Sequence, residues 1–381
     1  MKIGVPKETV DGERRVALVP DAVKSLKKNE HVKVLVERGA GDAAGHPDSQ
    51  YEEAGAEVVD PDVAWGADVV LRVAAPTSEQ IGGLNSNQLL VGHLSPWTAA
   101  ESNKALAAAG VTSFAMEAIP RTTRAQSMDA LSSQAVVAGY RATLAAARHL
   151  GKFFPMLITA AGTAKPSRVL VLGAGVAGLQ AIATAKRLGA VVEAYDVRPA
   201  VKEEVESLGA KFVQIQIEQE SQDGGSGQYA KELTAEQQQR QQELLAQRVA
   251  AADCVITTAA VPGRPAPRLV SEEMVQSMRP GSVIVDIAAE TGGNCALTEP
   301  GSVTVKHGVT IDGTLNLPSQ MPFHSSLLYA NNVANLLLHM SSEGRVELDF
   351  EDEIVAGCCV THQGRIVSDR VREAVEGPVN V

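Results

Sequence analysis

The chain contains the stretch Val169-Leu-Val-Leu-Gly-Ala-Gly-Val-Ala-Gly178, an apolar strand that leads into a glycine-rich turn. The predicted helix Leu179 to Leu188 follows directly. In such a turn Gly173 permits the tight bend, Gly175 lets a ligand approach the backbone, and Gly178 lets the helix pack on the strand. The start of the helix offers free N–H groups and a positive dipole end to phosphates. The stretch therefore predicts a doubly wound α/β domain that binds a dinucleotide.

Asp196 indicates which dinucleotide the turn would bind. It lies 18 residues after Gly178, at the end of the predicted strand Val191 to Tyr195. A carboxylate in this place accepts hydrogen bonds from the hydroxyls of an adenosine ribose, and it repels a 2′-phosphate. We therefore expect NAD(H) rather than NADP(H). The neighbouring Arg198 keeps NADP(H) open, because an arginine here can pair with a 2′-phosphate. S-adenosylmethionine stays open as an alternative ligand.

A second turn should border the same site. Thr257-Thr-Ala-Ala-Val-Pro-Gly263 follows the predicted strand Cys254 to Thr257. Ligands of doubly wound sheets bind where the strand order reverses, beyond the carboxyl ends of the strands. We expect this turn, with Thr258, to contact a ribose or the nicotinamide.

Composition excludes several classes of protein. A net charge of −11 over 381 residues argues against binding to a nucleic acid backbone. The four cysteines have no paired metal-ligand spacing, which favours a reducing, cytoplasmic compartment, and the histidines predict no metal site. No apolar run has the length of a signal peptide or a membrane span, so we expect a chain that can only dock at a membrane.

The order of predicted elements indicates two domains. Strands such as Val32 to Val36 and Val111 to Phe114 alternate with helices in the first third, where no strand is followed by a glycine-rich turn. We predict an α/β fold of two doubly wound, Rossmann-like domains with parallel sheets. The NAD-binding domain, 136–314, is inserted into the other, 1–135 and 315–381, and a C-terminal hairpin between Glu353 and Val367 completes the chain.

A polar segment between the domains carries candidate reaction chemistry. In Arg121-Thr-Thr-Arg-Ala-Gln-Ser-Met-Asp-Ala130, Gln126 and Asp129 are three residues apart, as are Asp129 and Ser132. On a helix the three would line one side, with Arg121 reaching back from the preceding loop. These groups suit the ribose and carboxamide of a nicotinamide. An ordinary polar helix start explains the spacing equally well.

His93 with Arg15 is the competing candidate, although a single histidine at a strand end is more often structural. Hydride transfer needs a proton acceptor only when the substrate carries an ionising hydroxyl or amine. The sequence therefore leaves open whether an acid-base residue is used.

Four motifs across nearly the whole chain resemble the alanine dehydrogenase and transhydrogenase superfamily. They are Gly4-Val-Pro-Lys-Glu8, Glu13-Arg-Arg-Val-Ala17, Arg124-Ala-Gln-Ser-Met-Asp-Ala-Leu-Ser-Ser-Gln134 and, after the glycine turn, Leu179-Gln-Ala-Ile-Ala-Thr-Ala-Lys-Arg-Leu-Gly189. The third is specific to one branch, the NAD(H)-binding domain I or alpha subunit of proton-translocating nicotinamide nucleotide transhydrogenases.

The resemblance implies an NAD(P)+ transhydrogenase of the Si-specific or proton-translocating type. Hydride would pass directly from NADH to NADP+ on a partner subunit, with Arg121, Gln126, Asp129 and Ser132 organising the nicotinamide. A transmembrane partner would couple transfer to proton movement, and the chain would be a homodimer, cytoplasmic and peripheral to the inner membrane. The implied NAD(H) contacts beyond the glycines are Val176, Asp196, Val197, Arg198, Gly227, Gln228, Gln241 and Ala260.

Two other functions remain open at this point. The sister enzyme, alanine dehydrogenase, uses an arginine, a lysine and a histidine on its substrate, and Arg15 and His93 match two of them. Ala74 stands at the lysine position, and losing that cation removes a charge-assisted bond of about 1.5–3 kcal/mol. An L-alanine dehydrogenase is therefore disfavoured. The second alternative is a non-enzymatic NAD sensor.

Overall fold

A computed structural model describes residues 1–214, 235–261 and 263–376, with the side chains of 235–238 and 375–376 outside that description. The chain divides into two compact units. Unit 1 consists of Met1–Gln134 and Pro318–Val381, and unit 2 is the intervening Ala135–Leu317.

The N-terminal segment of unit 1 alternates strands and helices. The strands are β1 (Lys2–Val5), β2 (Lys33–Glu37), β3 (Glu57–Val59), β4 (Val69–Leu71), β5 (Leu89–Gly92) and β6 (Thr112–Ala115). The helices are α1 (Pro20–Leu26), α2 (Asp48–Glu53), α3 (Pro61–Trp65), α4 (Ser78–Gly82), α5 (Ala100–Ala108) and α6 (Ala130–His149), the last of which continues into unit 2.

Unit 2 follows the same plan. Its strands are β7 (Leu157–Thr159), β8 (Gly162–Ala164), β9 (Arg168–Leu172), β10 (Val191–Tyr195), β11 (Lys211–Phe212), β12 (Cys254–Thr257), β13 (Val283–Asp286), β14 (Val303–Lys306) and β15 (Val309–Asp312). Its helices are α7 (Val176–Arg187), α8 (Lys202–Ser207), α9 (Ala235–Ala251) and α10 (Glu272–Ser277).

The chain then returns to unit 1. The helices there are α11 (Pro322–His339), α12 (Glu353–Cys358) and α13 (Asp369–Glu376). The strands are β16 (Ser341–Ser342), β17 (Arg345–Val346), β18 (Cys359–His362) and β19 (Arg365–Ile366).

Each unit is built on one main sheet. In unit 1 the described strands follow the order β19-β18-β6-β5-β4-β1-β2-β3, and β1 to β6 are parallel while β18 and β19 are antiparallel additions at one edge. In unit 2 the order is β11-β10-β9-β12-β13-β15-β14, parallel except for β14. Both contain the order of a dinucleotide-binding fold, in which the first strand lies centrally and the order reverses beside it. The predicted α/β class with parallel sheets is confirmed.

Apolar side chains of strands and helices form the cores. In unit 1, Ile3, Val34 and Val69 on neighbouring strands are buried together with Tyr329 and Val333 of α11. In unit 2, residues of β9, β10 and β12 are buried against α7 on one face, and α9 and α10 cover the other face. Covering a parallel sheet on both faces explains why its strands read as continuous apolar runs.

Several elements differ from the sequence prediction. Glu353–Cys358 is the helix α12, not the first strand of the tail hairpin, because Asp352 accepts hydrogen bonds from the backbone N of Ile354 at 2.8 Å and of Val355 at 3.3 Å and so starts a helix. The hairpin itself is β18 and β19. Before β9 lies the unexpected antiparallel pair β7 and β8, and the central strand β1 was not predicted.

Candidate functional site

The turn between β9 and α7 shows why two of its glycines are required. Gly173 has φ +99°, and a Cβ atom added there would lie 2.6 Å from Oγ1 of Thr258. A Cβ atom at Gly178 would overlap the carbonyl oxygen of Gly173. Oγ1 of Thr258 donates to that same carbonyl at 3.1 Å. The structure thus joins the turns after β9 and β12 where the strand order reverses.

Gly175 has a different role. Its backbone is extended, at φ −78° and ψ −168°, and a Cβ atom there would meet no atom within 4 Å. Neither conformation nor packing within the protein demands glycine here. Gly175 is the N-cap of α7, and without a side chain it leaves the first turn of that helix approachable. This arrangement fits a diphosphate at the helix start.

Asp196 follows β10 and lies next to the glycine turn. Its Oδ2 accepts a hydrogen bond from the backbone N of Ala174 at 2.7 Å. Its Oδ1 accepts from the backbone N of Arg198 at 2.9 Å, and the guanidinium of Arg198 adds bonds of 3.0 Å and 2.9 Å. Burial raises the pKa of Asp196, but the bonds from Arg198 and Ala174 outweigh it and hold that pKa below its ordinary value.

The four bonds use the acceptor sites of the Asp196 carboxylate. A ribose hydroxyl that bound Asp196 would compete with these four bonds. Arg198 is half-buried and close enough to respond to the group that occupies this position.

The other predicted cofactor residues differ in their exposure to solvent. Gln241 on α9 is buried near the hydroxyl of Tyr195, the last residue of β10. Val176 and Ala260 are exposed, and Val197 is half-buried. Gly227 and Gln228 lie outside the described residues.

Gln126, Asp129 and Ser132 do not share one helix, contrary to the prediction. Gln126 lies in a 3-10 turn, Thr123–Met128, whereas Ser132 is in the first turn of α6. Asp129 has ψ 84°, outside the helical region. It accepts hydrogen bonds from the backbone N of Ser132 at 2.9 Å and from its hydroxyl at 2.6 Å. Asp129 thus caps α6 and separates the two helical pieces. The side chains of Gln126 and Arg121 are exposed.

The segment that carries Gln126 is anchored by residues that the sequence did not indicate. The amides of Asn332 and Asn335 on α11 donate to the carbonyl oxygen of Ser127 at 2.8 Å and 3.1 Å. Arg124 forms an ion pair with Asp352 at 2.5 Å. These partners lie more than 200 positions away in the chain, so no local pattern could have identified them.

The competing site in unit 1 is built from internal ion pairs. The guanidinium of Arg15 bonds to the carboxylate of Glu13 at 2.8 Å and 2.6 Å and to Oε1 of Gln134 at 2.9 Å. Nδ1 of His93 lies 3.4 Å from the carboxylate of Glu117. Ala74 is half-buried and provides no charge.

Within residues 1–214, 235–261 and 263–376, no three His, Cys, Asp or Glu side chains come together as a metal site. Each helix in these ranges is too short or insufficiently apolar to cross a lipid bilayer.

The two sheets, the glycine turn and Asp196 define a two-unit, Rossmann-like protein with a dinucleotide-type site in unit 2. Residues 4–138 match the family model "Alanine dehydrogenase/PNT, N-terminal domain". Residues 142–369 match "Alanine dehydrogenase/PNT, C-terminal domain". The chain belongs to the alanine dehydrogenase/PNT family.

Individual relatives point to one branch of that family. The chain is 46% identical over 368 residues to NAD(P) transhydrogenase subunit alpha of Haemophilus influenzae, covering 96% of this chain and 71% of that protein. Alanine dehydrogenase of Bacillus subtilis is 31% identical over 382 residues, 97% of this chain and 94% of the enzyme. The crystal structure of transhydrogenase from Sinorhizobium meliloti superposes with a TM-score of 0.89 at 46% identity, covering 96% of this chain and 100% of that chain.

Proposed function

We propose that this chain is the NAD(H)-binding subunit of a proton-translocating transhydrogenase. The observation that carries the proposal is the turn after β9, where Gly175 is required neither by its conformation nor by packing and Asp196 stands beside it. The similarity to transhydrogenase alpha subunits over nearly the whole chain supports the type of reaction. NADH, when bound, supplies the hydride, which passes to NADP+ on a partner subunit.

In this proposal the residues of unit 2 hold NAD(H). The first turn of α7 binds the diphosphate through backbone N–H groups. Asp196 accepts from the adenosine ribose, and Arg198 moves to permit it. The further contacts come from Gly173, Val176, Gly178, Val197, Gly227, Gln228, Gln241, Thr258 and Ala260.

The segment from Arg121 to Ser132 orients the nicotinamide. Gln126 offers an amide donor and acceptor, and its exposed position in the 3-10 turn leaves it accessible. Asp129 and Ser132 hold the segment on α6 through their mutual hydrogen bond. Hydride transfer between two nicotinamides requires positioning and no proton acceptor, which agrees with the use of an amide and a hydroxyl.

Alanine dehydrogenase is the alternative that the family raises. Arg15 already shares its guanidinium with Glu13 and Gln134, and Ala74 provides no second cation for a substrate carboxylate. Incubation of the chain with NADH, pyruvate and ammonium should give no steady NADH oxidation. Sustained oxidation without any partner would overturn the proposal.

The decisive experiment mixes this chain with an NADP(H)-binding transhydrogenase domain and follows hydride transfer from NADH. Gln126→Asn should slow transfer at least tenfold, because the shorter amide misplaces the nicotinamide and the rate of hydride transfer is sensitive to small displacements. The same change should leave NADH affinity within about twofold, because the displacement is slight. Gln180→Asn on α7 is a control that should change neither value. NADH binding without any transfer would instead indicate an NAD sensor.

The proposed assembly includes a transmembrane proton-conducting partner, which makes the chain peripheral to the cytoplasmic face of the inner membrane.

The proposed assembly also includes a second copy of this chain. The apolar side chains of Phe153, Met156 and Ile158, beside and in β7, are more than half exposed. An isolated two-stranded pair is only marginally stable, so contact with a second copy would stabilise it. Sedimentation should show a dimer, and Ile158→Lys should weaken it.

A further inference from the structure

Asn294 lies behind the turn that follows β12 and is fully buried. Its Oδ1 accepts a hydrogen bond from the backbone N of Ala259 at 3.0 Å. Its Nδ2 donates to the carbonyl oxygens of Ala259 and Pro267, both at 2.8 Å. One amide side chain therefore satisfies both backbone groups of Ala259, in a turn that has no neighbouring strand to do so.

The backbone around Asn294 is itself held in place. Gly292 and Gly293 have φ +100° and +83°, left-handed values that turn the chain inward just before Asn294. The carbonyl oxygen of Asn294 accepts from the backbone N of Leu269 at 2.8 Å and of Val270 at 3.0 Å. The side chain thus reaches Ala259 from a well-determined position.

Asp286 ties the same segment to the end of β12. This residue is fully buried, and its Oδ1 accepts from the hydroxyl of Thr257 at 2.8 Å. Its Oδ2 accepts from the backbone N of Cys295 at 3.0 Å and from the hydroxyl of Thr298 at 2.7 Å. Asn294 and Asp286 therefore hold consecutive parts of one strand end and turn.

The turn that they hold borders the glycine turn. The backbone N of Thr258 donates to the carbonyl oxygen of Leu172 at 2.8 Å, and its hydroxyl donates to that of Gly173 at 3.1 Å. Ala259 and the exposed Ala260 come next. In a doubly wound sheet the cofactor crosses the switch point, with its adenosine half over the first strands and its other half beyond the reversal.

We infer that Asn294 is a positioning residue for the nicotinamide half of NAD(H). It holds the turn from Thr258 to Ala260 against that half, while the glycine turn and Asp196 hold the adenosine half. The inference rests on the proposed NAD(H) site and adds a residue that acts on it through the backbone.

The test compares two ligands on the full chain. Asn294→Ala should weaken NADH binding at least tenfold, about 1.4 kcal/mol, and change the affinity for ADP by less than about twofold. Asn294→Asp should have at least the same effect, because a carboxylate oxygen would replace the donor that faces two carbonyl oxygens. A loss confined to NADH distinguishes positioning from a general loosening of unit 2.

Ser167→Ala is the matched control. The hydroxyl of Ser167 is buried and donates to the carbonyl oxygen of Phe153 at 2.8 Å, just before β9 and so at the opposite end of that strand from the glycine turn. Its removal costs one buried hydrogen bond and should alter neither affinity. Amide hydrogen exchange of Ala259 in the unchanged chain provides a measurement that needs no variant, and NADH should slow it while ADP should not.

Equal losses of NADH and ADP binding in both Asn294 variants would overturn the inference, as would unchanged NADH binding. If a variant does not fold, equal slowing of Ala259 exchange by both ligands would overturn it. Failure of the unchanged chain to bind NADH would instead reject the proposed function.

Discussion

Two glycines of the turn after β9 have different roles. A side chain at Gly178 would collide with the backbone of Gly173, so this glycine lets α7 pack against the strand. A side chain at Gly175 would point into space that no protein atom fills within 4 Å. Gly178 is therefore required for folding, whereas the absence of a side chain at Gly175 is explained by the proposed ligand.

Alanine at each position should separate these requirements. Gly178→Ala should lower the free energy of unfolding by about 1–3 kcal/mol through the collision. Gly175→Ala should change it by less than about 1 kcal/mol and still weaken NADH binding about tenfold or more. Thermal unfolding and NADH titration of both variants measure the difference. Full NADH affinity in Gly175→Ala would contradict the assignment of the site.

Arg198 keeps the Asp196 carboxylate ionised. Because the pKa of Asp196 is lowered in the folded chain, the stabilisation that its charge gives is present above its ordinary pKa. That stabilisation is lost as the pH falls through the lowered value. Without the guanidinium of Arg198, only the two backbone hydrogen bonds oppose the effect of burial, so the pKa of this carboxyl should rise.

Arg198→Ala should therefore lose NAD+ binding at a higher pH than the unchanged chain. Calorimetric titration with NAD+ from about pH 8 down to about pH 4 should show this loss in the variant, whereas the unchanged chain, in which the pKa of Asp196 lies below its ordinary value, should keep its affinity over this range. The titration of the ligand itself is common to both and cancels in the comparison. Asp196→Asn removes the ionisable group and is the control. The same dependence of NAD+ affinity on pH in the variant and the unchanged chain would show that Arg198 does not control this pKa.

At the scale of elements, α6 depends on its cap. The carboxylate of Asp129 accepts from the backbone N and the hydroxyl of Ser132, while the 3-10 turn before it carries Gln126. The same residue that starts the helix thus sets where the preceding turn ends.

Replacing this cap should separate its structural role from its charge. Asp129→Ala should lower the free energy of unfolding by about 1 kcal/mol, whereas Asp129→Asn should change it little, since asparagine caps helices nearly as well. Ser132→Ala retains the bond from the backbone N and is the matched control. Urea unfolding measures all three. Equal destabilisation by Asn and Ala would mean that charge, and not capping, stabilises α6.

Each unit buries its cysteines in its own core. Cys254 and Cys295 lie in unit 2, and Cys358 and Cys359 lie in unit 1. Burial raises the pKa of all four thiols, that of Cys359 to about 12. A buried thiol with a raised pKa reacts slowly.

Iodoacetamide should therefore leave the four thiols unmodified in the folded chain and label all of them in urea, as mass spectrometry of peptides would show. Labelling that appears first in one pair as urea rises identifies the unit that opens first. Rapid labelling of any cysteine without urea would contradict its burial.

The glycine turn shows how much a local pattern can predict. Residues 169–178 combine a strand, a turn and a helix start within one short segment, and the structure has β9, the turn and α7 in that place. The strands β2, β6, β10 and β12 were likewise predicted from their runs of apolar and β-branched residues. The central strand β1 was not, because it is short and contains Gly4, whose lack of a side chain is explained only by the close approach of Ala64.

The α/β class, the glycine turn and the family could be predicted from the sequence alone, because each depends on neighbouring residues whose spacing encodes one local geometry. The contacts that these residues make depend on the folded chain. Folding placed Asn294 behind a turn 35 positions earlier in the chain and bonded the amide of Asn332 to the carbonyl oxygen of Ser127, 205 positions earlier. Hydrogen bonds of this kind join distant segments of the chain, and no periodicity indicates them because only folding brings their partners within reach.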